Sequence, residues 1–132
     1  MIALDTNVLV RFLTQDDPVQ SRAASDLITG LTAEAPGFVC REVMVELVWV
    51  LERAYGLDRA QVAAAIEGLL AATEIEVEAV DDVGSALYRY RDDGFGFADL
   101  MIAAASRRAG AAVLVTFDRK AAQLVGVQLI VS

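Results

Sequence analysis

"MIALDTNVLV", residues 1–10, decides how the rest of the chain is read. Ile2 to Leu4 is too short for a helix and reads as a buried strand that ends at Asp5, directly before a Thr6-Asn7 pair that opens a helix. A carboxylate at the carboxyl end of a strand, facing a helix start, stands where open α/β sheets bind ligands.

Strand and helix signals alternate from there onward. "NVLVRFLT" has helical spacing, and Asp17-Pro18 opens a second helix with an acid cap followed by proline. "GFVC" reads as a short strand, "REVMVELVWVLERAY" as a long helix stopping at Gly56, and "RAQVAAAIEGLLAAT" as a helix capped by Asp58. "EIEVEAV" alternates like a strand, and Asp81 or Asp82 starts a helix through "VGSALYRYR". A helix in "ADLMIAAASRRAG", an apolar strand "AAVLVTF", a short helix in "RKAAQLV" and a last strand "VQLIV" complete the chain. This alternation predicts an α/β domain with a mainly parallel central sheet and helices on both sides. With 132 residues, 56% of them apolar, one globular domain spanning 1–132 is expected.

Composition excludes several classes of chemistry. No stretch approaches the roughly 20 apolar residues of a membrane helix, and Asp5 and Arg11 interrupt any N-terminal apolar region, so a soluble chain without a signal peptide is expected. A single cysteine, Cys40, excludes an internal disulfide and a multi-cysteine zinc site; it fits a reducing cytoplasm and a role in buried packing. The chain has no histidine, so no Ser/His/Asp or Cys/His triad and no imidazole metal ligand is available. What remains is carboxylate chemistry, which suits hard cations such as magnesium or manganese. The net charge of −8 opposes a broad basic nucleic-acid face. Ten of the eleven basic residues are nonetheless arginine, the side chain whose planar fork grips phosphate.

Most of the nineteen acids belong to caps or solvated faces. Four stand out. Asp5 and Asp118 each follow an apolar strand. Asp99 lies in the first turn of an apolar helix, whose positive end favours an ionised acid. Glu46 falls on the edge of an apolar stripe formed by Val43, Leu47, Val50 and Ala54, alongside Arg53. Singly, each has a plain structural reading: Asp5 and Asp99 as caps, Glu46 as a partner of Arg53 or Arg41, and Asp118 as a turn residue. Jointly, they are positions that a parallel sheet can gather at one edge.

"LDTNVLV", "VELVWVLERAYG", "FADLMIAAA" and "VTFDRKA", in this order over nearly the whole chain, resemble the PIN domain, and particularly its toxin branch, the VapC-type ribonucleases. The resemblance implies a three-layer α/β/α sandwich and a four-acid site, Asp5, Glu46, Asp99 and Asp118, binding magnesium or manganese to cut RNA. Asp5, Asp99 and Asp118 would be the main ligands, with Glu46 holding a second ion or orienting water. Thr116 matches the family's hydroxyl residue, and Arg119 is a candidate phosphate contact. Gly96 departs from the pattern, standing three residues before Asp99 where many relatives carry another acid. The toxin branch further implies a cytoplasmic protein, a homodimer or toxin–antitoxin hetero-oligomer, and a cognate antitoxin. That antitoxin is expected to lay an apolar segment on the helices between Pro18 and Ala72 and to send an arginine toward Glu46 and Asp99.

Two other functions fit parts of the pattern. A receiver-like phosphoacceptor module also places acids at strand ends around magnesium, but it needs paired early acids and a lysine after a late strand; the only lysine here, Lys120, follows Asp118 in a predicted helix. A PIN-like module that binds RNA or protein without cutting is the other, and such modules commonly lose some of the acids.

Overall fold

The computed structural model describes residues 1–131. Two compact units divide the chain, residues 1–80 and 81–132. In the first, β1 (Ile2–Ala3), α1 (Thr6–Thr14), α2 (Pro18–Thr29), β2 (Gly37–Val39), α3 (Arg41–Arg53), α4 (Arg59–Ala71) and β3 (Ile75–Val77) follow one another. The three strands pair in parallel in the order β1-β2-β3, with Ile2 opposite Gly37 and Gly37 opposite Ile75. Beyond β1, the Leu4 amide still donates to the Phe38 carbonyl at 2.8 Å, so the chain is held against β2 up to the residue before Asp5. Gly37 allows this approach, because a Cβ there would come within 2.9 Å of a Leu4 methyl and 2.8 Å of a Leu31 methyl.

Local chemistry sets the helix ends. Asp17 accepts from the amides of Val19 and Gln20 with Pro18 in the first turn, and α1 ends at Gln15 in a left-handed conformation. Asp58 and Gln61 form a reciprocal capping box at the start of α4. Helix α1 packs on α2 and α3, and α3 packs on α4. Leu9, Met44, Leu47, Leu51, Val62 and Ile66 are fully buried and are the centre of this unit's core.

The second unit contains α5 (Val80–Asp93, which starts one residue before it), α6 (Phe97–Arg108), β4 (Leu114–Thr116), a 3-10 turn (Ala121–Gln123) and β5 (Val127–Leu129). β4 and β5 are parallel, with Leu114 opposite Val127 and Thr116 opposite Leu129. Tyr90 of α5 meets Phe97 of α6 edge to face, 6.2 Å between ring centres.

The expected α/β class with parallel pairing is present, its strands shared between a three-stranded and a two-stranded sheet. Five local expectations change. The N-terminal strand is exposed at Ile2 and Ala3, and only Leu4 after it is buried. The apolar run around β4 is not a buried strand: Val113, Val115 and Phe117 alternate onto one exposed face. The buried stripe of α3 is Met44, Leu47, Val48 and Leu51, which leaves Val43, Val50 and Glu46 on its rim. The helix expected over "RKAAQLV" is a single 3-10 turn, and Cys40 is half-buried at the start of α3. Among the described residues no helix is long and apolar enough to cross a membrane.

The capping box gives a direct check on this construction. Asp58→Ala removes the carboxylate that accepts the Gln61 amide, leaves the backbone amide of residue 58 to donate to Gln61 Oε1, and should lower stability by about 1 kcal/mol in urea titration, whereas Asp58→Asn should retain most of it.

Candidate functional site

Asp5 sits at the junction of β1 and α1. Its Oδ1 accepts the Thr6 amide at 2.7 Å, so the expected cap is real. The bond engages the first amide of the helix and leaves Oδ2 without a protein donor among the described residues. Thr6 itself is buried, and its hydroxyl donates a short hydrogen bond to Oε1 of Glu46 on α3. Thr6 therefore ties the first acid to the second. The partner of Glu46 is thus a neutral hydroxyl. Both acids line a cleft of about 340 Å³ with Asn7, Arg11 and Tyr55 on its other walls. The far wall is held by Arg11, which donates to Tyr55 Oη and pairs with Asp16, while Tyr55 Oη donates to Asp16 at 2.6 Å. These bonds keep the Asp16 carboxyl below its usual range, the Tyr55 hydroxyl contributing most.

In the second unit Asp99 is the third residue of α6, which follows Gly96 as its cap position and has no side-chain cap. Burial, and after it the negative charge of Asp118, raise the Asp99 carboxyl above the ordinary aspartate value. Those two acids are therefore close enough to repel. Asp118 follows β4 and is held by two local bonds: its amide donates to Thr116 Oγ1 at 3.0 Å, and its Oδ1 accepts the Ala121 amide at 2.9 Å. Thr116 thus acts on the backbone of Asp118 rather than on its carboxylate. Arg119 is exposed and makes no hydrogen bond or ion pair among the described residues.

Gly96 has a physical meaning at this site. A Cβ built there would lie 2.9 Å from Oδ2 of Asp99, so the Asp99 carboxylate occupies the space where a side chain at position 96 would begin.

The structure thus places the predicted acids as pairs, Asp5 with Glu46 in residues 1–80 and Asp99 with Asp118 in residues 81–132. Among the described residues no group of three or more His, Cys, Asp or Glu side chains is drawn together in a metal-holding arrangement. Asp5 and Glu46 in the first unit, and Asp118 in the second, each have one carboxylate oxygen bonded by the protein and, among the described residues, no donor on the other; carboxylate oxygens of this kind suit a hard divalent cation. Sequence reading missed Thr6, whose signal was the hydroxyl beside the first acid in "LDTN".

The sequence model of the PIN domain matches residues 2–126. The chain belongs to the PIN domain family. Among solved structures, the Mycobacterium tuberculosis toxin VapC20, described as cleaving the sarcin-ricin loop, is similar at 20% identity over 98% of each chain, with a TM-score of 0.47. No curated protein matches at a significant level.

Two measurements check the PIN domain's acid pairs. A carboxyl raised in the folded state keeps its proton to higher pH than in the unfolded chain, so stability falls as pH rises from the ordinary aspartate value through the raised one. Without divalent ions, urea midpoints of the parent should fall across that window, and Asp99→Asn should abolish this part of the fall. Asp118→Asn should diminish it only in part, because burial is the larger cause. Gly96→Ala should leave stability within about 1 kcal/mol, its φ of −66° being ordinary for alanine. The same change displaces the Asp99 carboxylate and should weaken divalent-cation binding measured by calorimetry.

Proposed function

We propose that this PIN domain is a metal-dependent endoribonuclease, the toxin of a type II toxin–antitoxin pair, acting as one nuclease domain over residues 1–132. Asp5, Glu46, Asp99 and Asp118 are its catalytic acids. The observation that carries this reading is that Asp5, Glu46 and Asp118 each spend one carboxylate oxygen on a protein donor and keep the other available. Family membership and the absence of histidine point the same way.

Asp5, Asp99 and Asp118 would hold magnesium or manganese, with Glu46 as a further ligand or water-orienting base. The cation, when bound, supplies charge to a scissile phosphate oxygen and an acidified water. The chain's own residues do the rest. The Thr6 amide and hydroxyl fix the approach of Asp5 and Glu46, and the Ala121 amide and Thr116 hydroxyl fix that of Asp118. Oε2 of Glu46 is left to accept a proton from an attacking water. The repulsion between Asp99 and Asp118 favours a cation over two bare carboxylates.

The partner in this reading is a small antitoxin, with the cytoplasm as the compartment. Exposed Val19 and Leu27 on α2 and Trp49 on α3 lie on the helices expected to receive it, and a shallow groove of about 300 Å³ lies between α1 and α2. Its arginine would seek the free oxygen of Glu46.

Incubation of the purified chain with total RNA, with and without manganese, should produce new ends only with the metal. Asp5→Asn and Asp99→Asn should abolish them while the protein stays folded; undiminished cleavage by either would falsify the site. Thr6→Val should cut cleavage roughly 10- to 100-fold with little loss of stability, because it frees Glu46 without opening a cavity. Cleavage of RNA by the parent separates this reading from a non-cleaving module, and failure of acetyl phosphate to label the protein separates it from a phosphoacceptor.

A further inference from the structure

Arg107 lies in the last turn of α6 in the second unit, is exposed, and its guanidinium has no partner among the described residues. It stands on the wall shared by two neighbouring concavities. One, of about 310 Å³, has Ser85 and Arg89 on its α5 side; the other, of about 170 Å³, runs on to Gly126 and Val127 beside β5. Val125, also shared by both, is highly exposed. The acid in the larger concavity, Asp82, is taken up by Arg108, whose Nη2 lies 2.8 Å from Oδ1. Arg89 is steadied by Asp93 at 3.1 Å and by the Phe95 ring below it at 4.8 Å. Two arginines and a hydroxyl thus line a groove whose one carboxylate is already paired.

The distribution of charge strengthens the point. Residues 1–80 hold thirteen acids against five bases and account for the entire net charge of −8, whereas residues 81–132 hold six of each. Leu100, Ala103, Ala104 and Arg107 recur at helical spacing and form the α6 face of the groove. Asp99 adjoins the start of that face, and Arg107 lies about 12 Å further along the helix at 1.5 Å per residue.

We infer that the groove centred on Arg107 is a track for the sugar–phosphate backbone of single-stranded RNA, with Arg107 and Arg89 on phosphates to one side of the bond being cut. This rests on the proposed ribonuclease function and adds to it where the strand lies. Two joined concavities suit a continuing strand better than one small anion, and exposed Val125 offers an apolar surface for a base.

The test uses the full chain. Arg107→Ala is compared with Arg22→Ala, which removes an equal charge from an exposed position on α2 outside the groove. Arg107→Ala should weaken binding of long single-stranded RNA roughly three- to tenfold, measured by anisotropy in an Asp99→Asn background, and lower the salt slope by about 0.7. In the cleaving protein it should raise KM for long RNA without changing kcat, and leave cleavage of a dinucleotide unaffected. Arg107→Lys should restore the salt slope. If the parent cleaves RNA and Arg107→Ala matches Arg22→Ala in affinity and slope, the track is overturned while the nuclease reading stands. A parent that neither binds nor cuts RNA overturns both. Inorganic phosphate at matched ionic strength should not displace the strand; displacement from the parent but not from Arg107→Ala would mark a free-anion site and overturn the strand assignment.

Discussion

Thr6 makes the two hydrogen bonds that hold the pair of acids in the first unit. Its amide goes to Asp5 and its hydroxyl to Glu46, forty residues away in the chain. A carboxylate on an exposed helix face ordinarily samples many rotamers, and fixing it costs side-chain entropy of about 1–2 kcal/mol. The Thr6 hydroxyl is itself already fixed by packing, so the bond orders Glu46 alone and holds it through a neutral donor. An arginine in the same role would have left an ion pair and no oxygen to spare.

The second unit handles its acids differently. Asp118 is steadied by backbone geometry, through the 3-10 turn it caps and the hydroxyl of Thr116, while Asp99 makes no side-chain hydrogen bond among the described residues and rests over a glycine. The start of α6 offers Asp99 a favourable dipole, but burial and the Asp118 charge outweigh it and the carboxyl is shifted upward. One pair of acids is held by donors; the other is held close against its own repulsion. The first arrangement fixes its oxygens, and the second raises the cost of ionising Asp99, burial first and the Asp118 charge after it.

Charge segregation along the chain reconciles its acidity with the proposed action on RNA. A net charge of −8 is discouraging only if it is spread evenly, and here residues 1–80 carry all of it. Residues 81–132 are balanced and place arginines around one groove. Electrostatic attraction to phosphate is local within about 10 Å at ordinary salt, so a neutral unit with a basic groove can hold a strand that the acidic unit would repel.

The sequence by itself determined the fold class and singled out the acids that are candidates for the site. Alternating strand and helix patterns, Asp17-Pro18 and Asp58 as helix starts, and the ordered motifs around Asp5, Glu46, Asp99 and Asp118 were all legible, because caps and periodicity are set by residues within a turn or two of each other. Burial was less so. The run around β4 is as apolar as a core strand, yet Val113, Val115 and Phe117 face outward, since hydrophobicity states what a residue tolerates and only its neighbours in space decide what covers it. The stripe of α3 was likewise misplaced by one position, because a helix rich in valine and leucine offers several apolar faces and packing chooses among them. Tertiary structure alone decided that Thr6 reaches Glu46, that Gly96 makes room for the Asp99 carboxylate, and that Arg107 shares a groove with Arg89. Each of these is a contact or clearance of a few ångströms between side chains, and no one-dimensional pattern encodes such distances.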